Sequence, residues 1–396
     1  MQLLPGRRRM KAILNRIAAF AVAAILAGCS GHSYPIEHNF IVPPATDAAT
    51  ARRAEVFVDA NGTFYPDAWN SYVAGTRRWK AHSLLNQAAV TPGLYPRLAS
   101  EEARQLRDIA AFGRNKKRLF ILVHGYNNTA ERAIGPYDSI EARLDLHEDD
   151  GVIRFHWDGL TGDGIGAGKI WFNATAYSQM AGAHGLRRIL AQFEDKQIYL
   201  ISHSRGGSVI LSALGNPVFD PKFKLATEKV AATWTGDYSK FLSPDPLPMR
   251  GNRIHIIAAA PSIDRIDFCD AHEQANINNG GSCEKLRSLG PQFCSLSYTV
   301  NPRDPVLNKF VGLSKGFNPT GLGLRASVGE DIAKEGRYRG MRAYAFPDAE
   351  RFHAFERYVR HPTFAAMLFD QGILKPGIPH PLAMVAPSAS SSCPGI

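Results

Sequence analysis

A serine hydroxyl becomes a nucleophile when the backbone presents it on a sharp turn beside free N–H groups. One serine in this chain has that setting. Ser204 lies in Ser202-His203-Ser204-Arg205-Gly206-Gly207, directly after the apolar run Ile198-Tyr199-Leu200-Ile201 and before Ser208-Val209-Ile210-Leu211-Ser212-Ala213-Leu214. A buried strand, a tight turn through small residues and a helix therefore follow in order. The hydroxyl is left at the carboxyl end of the strand, near a helix N-terminus whose unbonded N–H groups can hold an oxyanion. The pattern is G-x-S-x-G with Ser202 at the first glycine, a small side chain that still crowds the backbone more than glycine. Taken alone, the pentapeptide also fits a surface serine in a strand–helix loop.

Further upstream, Leu119-Phe120-Ile121-Leu122-Val123 has the pattern of a buried strand and runs into His124-Gly125-Tyr126-Asn127-Asn128. An H-G turn after an early strand, followed by an elbow of this kind, resembles the alpha/beta-hydrolase superfamily. The sequence is most similar to its bacterial serine-hydrolase (esterase/lipase-like) branches of unknown substrate, which carry a similar H-G-aromatic-Asn turn. The resemblance runs from Leu119 to Phe369. It implies an α/β fold with a mostly parallel sheet flanked by helices on both faces. Insertions are expected after the nucleophile helix and before the acid strand. It also implies that the backbone N–H groups of Tyr126 and Arg205 form the oxyanion hole, with His124 and His203 as structural neighbours of the turns.

A serine nucleophile needs a histidine to take its proton and a carboxylate to orient that imidazole. The family order is Ser, then Asp or Glu, then His, each at the carboxyl end of a strand. Under that order Asp304, in Asn301-Pro302-Arg303-Asp304-Pro305 after a strand, is the favoured acid. Asp264, after the preceding strand, is the rival. Beyond Asp304 stand His353, His361 and His380. His380 lies in a Pro-rich tail and His361 precedes Pro362, so His353, which follows the last strand by a loop and opens a helix, is favoured. His147, His156, His184 and His255 precede Asp304 and are expected to be structural.

The elements that must carry these groups alternate between strand and helix, the signature of a parallel sheet. Strands are expected at 119–123, 152–157, 198–201, 254–260, 295–300 and 342–345. Helices are expected at 101–112, 129–146 with an interruption at Gly135-Pro136, 174–193, 206–214, and 354–369 broken near Pro362. Gly162 to Lys169 superficially suggests a phosphate loop, but Asp163 and Ile170 occupy positions where that pattern needs Gly and Ser or Thr. A flexible loop beside the active-site edge is expected there. Residues 216–251 form a possible lid insertion whose Phe219, Phe223, Trp234, Tyr238 and Phe241 either line an acyl pocket or build a small core.

Residues 1–28 read as a lipoprotein signal peptide: basic residues from Arg7 to Arg16, an apolar stretch from Ile17 to Leu26, then Leu26-Ala27-Gly28-Cys29. The last four resemble the bacterial lipobox, whose cysteine is acylated and becomes the first mature residue; Met10 is an alternative start. Ser30 resembles the outer-membrane sorting case. The expected location is therefore the cell envelope, lipid-anchored on the outer membrane and facing the periplasm. Residues 29–50 are expected to be a flexible tether, 51–375 the hydrolase domain and 376–396 a disordered tail. Removing the five basic residues of 1–28 halves the formal charge from +10 to +5. No arginine–aromatic interleaving or long basic run remains, so nucleic acid is not an expected partner. Four cysteines besides Cys29 suggest disulfides in an oxidising compartment, with Cys269–Cys283 favoured because they bracket a Gly/Asn-rich loop. No C-x-x-C or H-E-x-x-H spacing occurs, so no metal is expected, and triad chemistry needs no cofactor.

The expected activity is hydrolysis of carboxylic esters, with a small-molecule or lipid ester as substrate and the membrane as a partner through Cys29. An amidase or peptidase would use the same triad. An alternative of another class is a catalytically silent lipoprotein that binds an envelope partner on a hydrolase scaffold, for which Ser202 and Arg205 beside the nucleophile leave room.

Overall fold

Runs of Leu, Ile, Val and Phe that are buried on both sides can only be accommodated as inner strands covered by helices on each face. The computed structural model of the chain describes residues 31–35, 51–67, 69–72, 83–162, 165–220, 222–225, 228, 244–263, 265–270, 285–309, 321–336, 338, 340–346, 350–381 and 393. Its strands are β1 (Arg53–Phe57), β2 (Arg118–Val123), β3 (Asp150–His156), β4 (Gln197–His203), β5 (Arg253–Ala259), β6 (Phe293–Val300) and β7 (Met341–Ala345). They form one seven-stranded sheet in the order β1-β3-β2-β4-β5-β6-β7, with every pair parallel. This is the alpha/beta-hydrolase fold, as expected, and among the described residues every strand pair of its sheet is parallel.

The helices that matter to the site are α1 (Leu94–Arg114), α2 (Ala130–Glu141), α3 (Ile165–Met180), α4 (Gly206–Leu214), α5 (Phe355–Arg360) and α6 (Pro362–Asp370). Side-chain alternation along β2 divides them. Leu119, Ile121 and Val123 share a core with Ile109 and Phe112 of α1 and Val209 and Ile210 of α4. Phe120 and Leu122 share the opposite core with Tyr137 of α2, Tyr358 of α5 and Phe364 of α6. Period-two alternation on a sheet covered on both faces produces these two cores.

Several elements differ from expectation. β1 escapes sequence reading because Arg53 and Glu55 alternate with Ala54 and Val56, the pattern of a half-exposed edge rather than a buried strand. α2 runs through Pro136 instead of breaking there, giving up only the bond to a carbonyl one turn back that proline cannot make. The loop expected over 162–169 is helical from Ile165 onward, and α3 continues through a π-helical turn, Ala181–Leu186, into Arg187–Leu190.

Within the expected tether, residues 31–35 pack against the body. Gly31 and Thr161 exchange backbone bonds of 2.8 Å, the Ser33 N–H donates to Asp158 at 2.9 Å, and His32 also engages that carboxylate. Asp158 is buried, so its oxygens must be satisfied, and these residues supply the donors. Within the expected tail, Cys393 forms a disulfide with Cys294. Cys269 is also disulfide-bonded, whereas Cys283 lies outside the described residues. Cys29, Asp264 and most of the possible lid lie outside them too. Among the described residues, no helix is long and apolar enough to cross a membrane.

Candidate active site

Parallel register brings the carboxyl ends of the inner strands to one rim. Ser202 pairs with Val123 of β2 and Ala258 of β5, so the loops that follow all three strands meet there. Ser204 leaves β4 with φ of 51°, a left-handed conformation uncommon for a residue with a Cβ. The turn is fixed by neighbours: the Ser204 N–H donates to the Ala259 carbonyl at 2.9 Å, and the Ser262 N–H donates to the Ser204 carbonyl at 3.1 Å. α4 starts at Gly206 so close to β2 that a Cβ there would lie 2.7 Å from the carbonyl oxygens of Val123 and His124. The glycine is required by that approach. Ser202, in the position of the missing glycine, fits within the core, with its Oγ unbonded among the described residues.

Three side chains converge. The Ser204 hydroxyl lies 3.0 Å from Nε2 of His353, and Nδ1 of His353 lies 2.8 Å from Oδ2 of Asp304. With the proton on Nδ1 donated to the carboxylate, Nε2 is free to accept from Ser204. Asp304 is fully buried, and its other oxygen accepts from the Val306 and Leu307 N–H groups at 2.9 and 3.0 Å. Burial pushes its carboxyl up, but the His353 charge and the bonds from His353, Leu307 and Tyr358 outweigh burial and hold it below the usual value. Asp304 thus remains an anion facing the imidazole.

The loop that follows β2 is fixed by His124. This residue is fully buried; its N–H donates to the Tyr137 hydroxyl at 2.8 Å, and its carbonyl accepts from the Trp157 indole at 2.8 Å. Burial lowers its imidazole to about 3, so it is neutral and structural. Gly125 follows, where a Cβ would come within 2.9 Å of the Ser204 Cβ. Tyr126 and Arg205 therefore flank Ser204 from two loops. Among the described residues, neither of their N–H groups donates within those turns.

Three other histidines, His361, His380 and His255, have partners elsewhere. Nδ1 of His361 accepts from the Thr363 N–H at 3.1 Å and caps α6. His380 stacks on Phe369, and His255 pairs with Ser295 at 2.9 Å. Phe219 and Phe223 stack on each other at 4.0 Å and pack on Ala176 and Met180 of α3, so these two belong to a small core. Trp234, Tyr238 and Phe241 lie outside the described residues.

Two contacts at this site carry no sequence signal. Nε2 of His203 donates to the His353 carbonyl at 2.8 Å, and burial, followed by the His353 charge, keeps its imidazole well below its ordinary value and neutral. The Tyr358 hydroxyl donates to Oδ2 of Asp304 at 2.7 Å, the oxygen that also receives His353. Burial and the Asp304 charge hold that phenol well above its ordinary value, so it stays a donor. Both contacts join residues remote in sequence, which local pattern does not reveal.

Tyr358→Phe removes one of the bonds that keep Asp304 ionised, so the folded-state pKa of the acid rises. A group held low contributes its effect above its unfolded value and loses it as pH falls through the folded value. The acidic limb of kcat/KM should therefore move to higher pH, while the rate near neutrality, where Asp304 is still ionised, stays within about tenfold of the wild type. A pH–rate profile identical to that of the wild type would reduce Tyr358 to a packing role.

Residues 100–279 match the model of a family described as "Alpha/beta hydrolase of unknown function (DUF900)". No curated protein matches the chain. Among solved structures, an iodinated complex of acetyl xylan esterase is similar at 14% identity and a TM-score of 0.27, over 56% of this chain and 94% of that one. A likeness this slight carries no weight for the chemistry.

Proposed function

We propose that the protein is a serine hydrolase that cleaves carboxylic esters through an acyl-enzyme. The observation that carries this reading is the hydrogen-bonded series from the Ser204 hydroxyl to His353 and on to Asp304. In this reading His353 takes the Ser204 proton as Oγ attacks the acyl carbon, then gives it to the departing alkoxide. The Tyr126 and Arg205 N–H groups receive the oxyanion of the tetrahedral intermediate. A water activated by the same imidazole then releases the acid and restores Ser204. Asp304 holds the imidazole in the tautomer that accepts from serine and stabilises it once it is charged.

The proposal extends to location. Acylation of Cys29 would tether the chain to the outer membrane on its periplasmic side. Gly31, two residues later, is fixed beside the loop that carries Gly159, which itself accepts a 2.8 Å bond from the Asn127 N–H. Two residues span at most about 7 Å. An anchor at Cys29 would therefore hold the catalytic rim near the bilayer surface, where lipid esters are within reach.

The test is active-site labelling. A fluorophosphonate probe should label the purified wild type and leave Ser204→Ala unlabelled, with both proteins showing the same circular dichroism. Nitrophenyl esters of increasing chain length then define the acyl preference. A folded wild type that takes no label and turns over no ester would favour a catalytically silent binding protein.

A further inference from the structure

Arg205 carries a feature that its backbone role does not explain. Its side chain is completely buried, and Nε, Nη1 and Nη2 make no hydrogen bond among the described residues. The other deeply buried arginines among the described residues are engaged. Arg154 pairs with Glu55, Asp138 and Glu141; Arg187 donates to the Ala213, Ser212 and Asp245 carbonyls; Arg287 donates to those of Asp267 and Leu211. A guanidinium is always charged and carries five donors, so burying it unpaired is costly unless a partner arrives in the functional state.

The surroundings point towards the catalytic rim. The Arg205 guanidinium lies over the Trp171 ring, 5.2 Å from its centroid, and the Tyr126 ring meets Trp171 edge-on at 4.7 Å. Tyr126 lies in the loop that follows β2, two residues past His124, and is only partly buried, so this ring pair runs from Arg205 to that loop. Asp220 and Asp267 act on Arg205 electrostatically, yet neither forms an ion pair within 4.0 Å of it. One Asp220 oxygen accepts from the Lys222 N–H at 2.8 Å, and one Asp267 oxygen from the Ser208 hydroxyl at 3.3 Å. The two carboxylates favour a cation at this position and leave its donors unused. Burial also pushes the Asp220 carboxyl up, which weakens its opposition to an incoming anion.

We infer that the Arg205 side chain is a subsite for an oxyanion on the substrate, so that the ester cleaved at Ser204 carries a second, negatively charged group. The fork of a guanidinium matches a carboxylate or a phosphate bidentately. One residue would then perform two tasks: its N–H holds the transient oxyanion, and its side chain selects the substrate's permanent charge. This rests on the ester-hydrolase reading above.

The test compares nitrophenyl monoesters of glutaric and adipic acid with the uncharged pentanoate and hexanoate esters. The wild type should favour at least one anionic ester by about tenfold or more in kcat/KM, the difference lying in KM, as expected for a charge-assisted bidentate contact. In Arg205→Met the ratio should collapse towards one, whatever happens to the absolute rates, and Arg205→Lys should retain part of it. The methionine variant should stay folded, because it removes an unpaired buried charge. No preference in the wild type, or a preference that survives in Arg205→Met, overturns the subsite. A second reading does not need turnover. Free glutarate or inorganic phosphate should raise the wild-type Tm and not that of Arg205→Met, and the larger shift identifies the anion. If fluorophosphonate labelling fails but this shift is seen, the hydrolase reading falls and the anion site stands; no shift with either anion, together with no ester preference, removes the site.

Discussion

Asp304→Asn should lower kcat by about 10⁴-fold while leaving the fold and KM nearly unchanged, the size of effect expected when a catalytic imidazole is held in the wrong tautomer. The surrounding bonds dictate how the amide would sit. The Val306 and Leu307 N–H groups donate to Oδ1 of Asp304, so the asparagine oxygen must stay on that side. Its NH₂ then faces Nδ1 of His353, where the carboxylate had accepted a proton. A donor meeting Nδ1 forces the imidazole proton onto Nε2, which points it at the Ser204 hydroxyl 3.0 Å away. The base can no longer accept from serine. Fluorophosphonate labelling should slow in parallel with ester turnover. An Asp304→Asn enzyme within tenfold of the wild type would remove Asp304 from the acid role and return attention to Asp264.

The second large effect is steric. Gly206→Ala should cost about 1–3 kcal/mol of stability and reduce kcat by a hundredfold or more. The added methyl would meet two backbone carbonyls, those of Val123 and His124, at 2.7 Å. Neither is the free end of a side chain. Val123 closes β2 and pairs with Ser202, while the His124 carbonyl is held by the Trp157 indole. Relief therefore requires α4 to move away from β2, which separates the Arg205 N–H from the Tyr126 loop. The oxyanion hole opens as the elbow shifts. Thermal unfolding and kcat should fall together, whereas Gly135→Ala, where a Cβ meets nothing within 4 Å, should change neither. A fully active Gly206→Ala would show that the two loops need not approach this closely.

The inner strands were legible in the amino-acid order because burial on both faces demands unbroken apolar runs, as in Leu119–Val123 and Ile198–Ile201. α4 was legible to its first and last residues, since the elbow glycines and the apolar run that follows leave little choice. The family order of Ser, acid and His singled out Ser204, Asp304 and His353 as a set, and the fold brings these three into one hydrogen-bonded series. The edge strand β1 was not legible, because alternating Arg53 and Glu55 look like loop or surface. The helical start of α3 was hidden by its glycines, which read as a flexible loop when packing against α4 is unknown.

What the sequence by itself determined was the local grammar: which runs are strands, where the chain must turn, and which residue types stand at the turns. Only tertiary structure decided which distant groups share an atom. Tyr358 and His353 meet on one oxygen of Asp304, His203 holds the His353 carbonyl, and the Arg205 guanidinium lies over Trp171 with no hydrogen bond among the described residues. The reason is physical. Backbone propensity and hydrophobic period are properties of neighbours in the chain, whereas hydrogen-bond partnership and burial of charge depend on elements packed together from far apart.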